Sequence, residues 1–114
     1  MTSKNNEEYR LQETCVRYFK YQYPNWLIFS VPNEATHSNA AHFAKTGMLA
    51  GASDLVVVMP NKVLFVEMKS KTGRQRLEQA AFENKVTRLG FHYHIIRSFD
   101  EFREMITKEY YEKQ

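Results

Sequence analysis

Two carboxylates and an amine stand out in the stretch from Gly51 to Lys71: Asp54, Glu67 and Lys69. Asp54 opens an apolar run, Leu55 to Met59, which Pro60-Asn61 interrupts. A second run, Val63 to Met68, carries Glu67 and leads into Lys69. Charges set among Val, Leu and Phe must be paired or must hold a cation, because leaving water costs an isolated ion far more than packing returns. Two adjacent carboxylates repel. A hard divalent cation relieves that repulsion: Mg²⁺ takes oxygen ligands, keeps several waters and needs few protein carboxylates. A lysine beside such an ion could orient a water or balance charge on an anionic substrate. The plainer alternative is an Asp–Lys or Glu–Lys pair closing a strand end. A second carboxylate at the matching position favours the metal site.

The elements that would place these groups follow from the pattern. The two apolar runs read as short buried strands joined by a tight turn. Pro is preset for the first central position of that turn. A loop centred on Pro60-Asn61 sets Asp54 opposite Glu67, whereas a slip of one residue would put them on opposite faces. Val63, Phe65, Glu67 and Lys69 share one strand face.

The rest of the chain supplies the frame. Asn6 to Tyr23 reads as a helix with Leu11, Cys15, Phe19 and Tyr23 on one stripe and Tyr18 beside it. Asn5 or Asn6 is its expected cap, Glu7 and Glu8 suit the positive end of its dipole, and Pro24-Asn25 ends it. Trp26 to Val31 reads as a strand closed by Pro32-Asn33. Asn39 to Lys45 reads as a short helix stopped by Thr46-Gly47, and His37, Asn39, His42 and Lys45 form a polar stretch that could face a ligand. Arg74 to Leu89 reads as a helix ended by Gly90, with Phe82, Val86 and Leu89 as its buried stripe and Leu77 nearby. Gln79 falls one turn back on that stripe, either as a site amide or as a core-edge amide bonded to backbone. Phe91 to Arg97 is a further strand. Ser98 and Glu101 fit a capping box that opens a last helix, lined by Phe99, Phe102, Ile106 and Tyr110. The order is α-β-(α)-β-β-α-β-α, an α/β fold with a small mixed sheet flanked by helices.

Composition sets the limits. The 114 residues fit one domain, with about two-thirds of the unfolded surface buried. Apolar and charged fractions of 43% and 25% are ordinary for a soluble globular protein. A net charge of +3 is compatible with a polyanionic partner without demanding one. The one cysteine, Cys15, excludes an internal disulfide and suits a reducing compartment. No signal peptide and no membrane span is expected. His37, His42, His92 and His94 with Cys15 lack finger-like spacing, so no zinc site is expected. His92 and His94 share a strand face and are expected at the surface or the sheet end. Tyr21, Tyr23 and Trp26 could stack bases, but aromatics at a helix end more often belong to the core.

Gly51-x-x-Asp54 followed by Glu67-x-Lys69 matches the PD-(D/E)xK nuclease pattern, with Ser53 where that pattern often has Pro. More closely, the chain resembles the virus-type replication-repair nuclease (VRR-NUC) domain from about Glu8 to Ile106. The likeness covers Glu8-x-x-Leu11-Gln12, Tyr23-Pro24, Val31-Pro32-Asn33, Gly51-Ala52-Ser53-Asp54 and Val66-Glu67-Met68-Lys69. It continues through Gly73-Arg74 leading to Gln79, then Gly90, then Arg97 to Phe102. Each motif alone is common; their order and spacing together are specific.

The resemblance implies a restriction-endonuclease-like core. It implies Asp54, Glu67 and the Met68 carbonyl as ligands of Mg²⁺ or Mn²⁺, Glu8 as an extra ligand or a group just behind one, Lys69 at the nucleophilic water, and Gln79 approaching from the next helix. It further implies DNA hydrolysis leaving 5′-phosphate and 3′-hydroxyl ends, selectivity for branched or Holliday-junction DNA, and a homodimer. The setting it suggests is the cytoplasm of a bacterial or phage-infected cell. Asn33, Lys62, Lys71, Arg74 and Arg76 are the expected grip on the backbone; each alone also reads as solvated surface. Glu34 stands where the family often has Gly after Pro-Asn, at an edge that DNA could pass. Two alternatives to the DNA nuclease are a binding module for branched or single-stranded DNA and an RNA nuclease of similar fold.

Overall fold

The chain turns on Pro60-Asn61. In a computed structural model, which describes residues 3–32 and 40–112, Asn61 takes φ 57°. With φ of Pro60 locked near −65°, this is the type II arrangement, Pro first and a left-handed residue second. Two antiparallel strands leave this turn: β2 (Leu55–Met59) and β3 (Lys62–Met68). Met59 pairs with Lys62 and Leu55 with Val66, so the ladder projects Asp54 onto Glu67 as expected.

Around the hairpin lie α1 (Ser3–Gln22), β1 (Leu27–Ser30), α2 (Ala40–Lys45), α3 (Leu77–Arg88), β4 (His92–Ile96) and α4 (Phe99–Tyr111). The sheet order is β1-β2-β3-β4. β1 pairs antiparallel to β2, and β4 runs parallel to β3 after the α3 crossover. This is the expected element order.

The strict alternation along β2 turns Leu55, Val57 and Met59 inward, where they meet Leu64, Val66 and Met68 of β3. α1 covers them with Cys15 and Phe19, and α4 with Phe102, Met105 and Ile106. Burial pushes the Cys15 thiol up to about 12. Tyr23 and Trp26 stack 4.5 Å apart against this core, while Tyr21 is exposed. The opposite sheet face is thinner. Phe65, Phe82 of α3, Phe91 and Tyr93 pack edge to face or tilted, at 5.7 to 6.3 Å.

Several expectations are corrected. α1 starts at Ser3, so Asn5 and Asn6 are not its cap, and Glu7 and Glu8 lie past the first turn. Arg74 to Arg76 precede α3. Leu77 and Leu89 are 89% and 75% exposed, because the buried stripe runs through Gln79 and Val86. On α4 the inner stripe continues to Glu109, while Tyr110 is half exposed. The Ser98 hydroxyl accepts from the Glu101 amide, yet Glu101 reaches back past the Ser98 amide to that of Arg97, one residue beyond a full capping box. No described helix is long and apolar enough to cross a membrane.

Candidate metal centre

The open end of the hairpin carries the charges. Glu67 is 2% exposed and Lys69 4% exposed, so both have left water. Asp54 accepts the Met68 amide on Oδ2 at 2.7 Å, which locks the carboxylate across the strand pair. Glu67 Oε2 accepts from Gln79 Nε2 at 2.7 Å and lies 3.8 Å from Lys69 Nζ. Glu67 Oε1 has no hydrogen-bond partner among the described residues.

Gln79 is fixed from both sides. Its Oε1 accepts the Arg76 amide at 2.8 Å, so its NH₂ must face Glu67. Gln79 thus bonds backbone on one side and the Glu67 carboxylate on the other. Gly51 makes this approach possible. Its φ is +87°, and a Cβ there would sit 2.2 Å from the Glu78 carbonyl oxygen. Ser53, where the family pattern often has Pro, is buried and gives its hydroxyl to the Leu55 carbonyl at 3.1 Å.

The electrostatics record strain. Burial raises the Asp54 carboxyl above its usual range, partly offset by the Met68 amide. Burial, then the neighbouring Asp54 charge, push Glu67 up to about 8, against a smaller pull from Lys69. Two raised carboxyls, one with a buried oxygen that finds no hydrogen-bond partner among the described residues, form an oxygen donor set that a divalent, oxygen-seeking cation satisfies, with the lysine beside it. The residues fit such an ion.

Glu8 lies near enough for its charge to raise both carboxyls. Its Oε2 accepts the Ser70 amide at 3.3 Å, and Glu7 takes the Lys71 amide at 3.1 Å. α1 thus grips the segment after β3 through two acidic side chains. Sequence reasoning missed the clamp on its other side. Arg97 Nη1 donates to the carbonyls of Ser70 at 2.7 Å, Lys71 at 3.3 Å and Gly73 at 2.8 Å. Its position just past β4 was the available signal.

Beside the carboxylates opens a cleft of about 420 Å³ lined by Tyr9, Gln12, Pro32, Asp54, Arg76 and Gln79 among others. Lys71, Arg74 and Arg76 are exposed around this end of the sheet. Arg76 is partly engaged by Glu78 at 3.1 Å. Lys62 is a correction. It starts β3, roughly 17 Å along the strand from Glu67 at about 3.3 Å per residue, and its ammonium is taken by Glu109 at 3.1 Å. Asn33, His37 and Asn39 lie outside the described residues.

A second polar cluster was not anticipated. His92 Nδ1 and His94 Nε2 lie 2.7 and 2.6 Å from Glu109 Oε2. The histidines share a face and His92 is exposed, as expected, but both also meet a buried carboxylate.

The VRR-NUC domain model matches residues 6–100. A solved VRR-NUC domain protein superposes with a TM-score of 0.72 at 18% identity, covering 90% of this chain and 86% of that one. A second solved VRR-NUC domain gives 0.66 at 21% identity, covering 93% and 98%. No curated protein matches.

Proposed function

The chain belongs to the VRR-NUC family, and from that premise we propose that residues 1–114 are a single catalytic domain, a metal-dependent endodeoxyribonuclease selective for branched DNA. The observation that supports this reading most is the Asp54–Glu67 pair, with Glu67 Oε1 buried and without a hydrogen-bond partner among the described residues, beside a buried lysine.

Asp54, Glu67 and the Met68 carbonyl would hold the ion, Mg²⁺ or Mn²⁺, as the all-oxygen donor set suits. When bound, the ion supplies a Lewis acid for the scissile phosphate and lowers the pKa of a water. The side chains do the rest. Lys69, held in place by Glu67, donates to the attacking water or to the charge that builds on phosphate oxygen. Gln79 keeps Glu67 turned toward Asp54, so the carboxylates need no reorganisation during the reaction. Glu8 acts through its charge and through the Ser70 amide. Lys71, Arg74 and Arg76 contact backbone phosphates, which positions the strand without reading bases.

Hydrolysis leaves 5′-phosphate and 3′-hydroxyl ends. A two-fold homodimer in the cytoplasm of a bacterial or phage-infected cell would set two such centres on opposite strands of a junction during replication, recombination or repair.

The test is cleavage of a labelled four-way junction, with linear duplex, flap and RNA substrates alongside, in Mg²⁺ or Mn²⁺. Cutting of the junction, lost in Asp54→Ala and Lys69→Ala, is expected. Cutting that survives in either variant overturns the assignment. Tight junction binding with no cutting by the native chain would leave a binding module instead.

A further inference from the structure

The sheet face opposite the Asp54–Glu67 pair carries three potential ligands at one point. His92 and His94 alternate with Tyr93 on β4 and project toward α4, whose last turn presents Glu109. Glu109 is 3% exposed, yet one of its oxygens receives both imidazoles, at 2.7 and 2.6 Å. The ligand atoms of all three residues lie within 4.8 Å of one another.

We infer that His92, His94 and Glu109 form a second cation site, built for a zinc-class transition ion rather than for Mg²⁺. Two imidazole nitrogens and one carboxylate oxygen are a zinc donor set that leaves a fourth position open, whereas Mg²⁺ selects oxygen. Tetrahedral ligands about 2.0–2.2 Å from zinc stand about 3.4 Å apart. The contacts of 2.6 and 2.7 Å need to open by less than about 1 Å to reach that spacing.

The chemistry is an exchange of hydrogen bonds for coordination. Glu109 as a carboxylate can only accept, so each ring presents an N–H to it. Moving that proton to the other ring nitrogen turns the same atom into a lone-pair donor, with no net proton released from a neutral ring. Lys62 keeps its hold on the other oxygen, Oε1, at 3.1 Å, and also donates to the Glu109 and Glu112 carbonyls. It therefore orients the ligating carboxylate as an outer hydrogen-bond donor does.

Access is present. His92 is 46% and His94 31% exposed at the side chain. They border a groove of about 650 Å³ where Glu101, Glu104 and Glu112 stand against Arg97 and Lys108. A bound ion would tie the last turn of α4 to β4, as a structural clip.

This site is independent of the nuclease reading and survives its failure. The experiment titrates Zn²⁺ calorimetrically into the full chain carrying Asp54→Ala, which removes competition from the other centre. One equivalent is expected, with a rise in Tm that Mg²⁺ does not produce. His92→Ala and His94→Ala in that background should each weaken Zn²⁺ binding at least about tenfold. Co²⁺ in place of Zn²⁺ should give the visible absorption of a four-coordinate ion, and His94→Ala should remove it. Both variants keep the buried Lys62–Glu109 pair, and a melt confirms that they fold. No Zn²⁺ uptake by the Asp54→Ala chain overturns the site, and so does uptake that the histidine substitutions leave unchanged.

Discussion

Glu67 and Glu109 are both nearly fully buried carboxylates of one small sheet, and their surroundings push them in opposite directions. Glu67 sits beside Asp54 with one oxygen unpartnered among the described residues, and burial followed by that neighbour's charge raise it to about 8. Burial alone would raise Glu109 as well, but hydrogen bonds from His94, His92 and Lys62 bring it below its usual range. The difference is one of supply. On one face the acceptors outnumber the donors, and a cation is needed to make up the deficit. On the other the donors already suffice, and an ion enters only by exchange. A carboxylate that the fold leaves short of donors marks the place where chemistry is expected; one fully served marks structure.

The sharpest break in that comparison is functional. Glu67→Gln should cut junction cleavage by roughly 10³-fold while the fold persists. The same activity assay on His94→Ala should show no change with Mg²⁺. Next comes stability. Glu109→Ala leaves the Lys62 ammonium, only 10% exposed, with backbone carbonyls but no counter-charge. Denaturant unfolding should register a loss of about 3–5 kcal/mol, with activity per folded molecule intact.

Gly51→Ala tests whether the approach of α3 matters to the first face. The new Cβ would overlap the Glu78 carbonyl in a left-handed backbone position. A cost of about 1–3 kcal/mol is expected, with lower cleavage as Gln79 is displaced from Glu67.

The last effect is a pH slope, small over any single unit. The folded pKa of Glu67 lies above the unfolded 4.5, so the folded state holds the extra proton between pH 4.5 and about 8. Without divalent ions, stability should therefore fall as pH rises through that window, by at most about 1.4 kcal/mol per unit. Glu67→Gln should flatten this slope, and so should Mg²⁺ on the native chain. Melting curves across the window would read both; a slope of the opposite sign would contradict the deficit described for that face.

What the sequence made legible was local or periodic. Pro60-Asn61 fixed the hairpin register, and that register brought Asp54 to Glu67. Alternation in β2 and four-residue spacing in α1 located the core. The misses needed tertiary knowledge. Lys62 is close to Glu67 in sequence but at the far end of the same strand, because a strand carries residues apart at full extension. Glu109 falls on the buried stripe of α4 after Phe102 and Met105, a position that a charge occupies only with partners. Those partners sit on β4, and pairing the two elements requires knowing the sheet order. The clamp made by Arg97 was hidden for the same reason: its three carbonyl acceptors lie in a loop more than twenty residues earlier.

Cys15, wholly enclosed between α1 and the sheet and raised to about 12, turns this fold into its own clock. Thiolate is the species that alkylating reagents capture, and little of it exists while the core is closed. Each capture event therefore counts an opening of the molecule, so labelling rates at the lone sulfur would time the breathing of the core without any added probe.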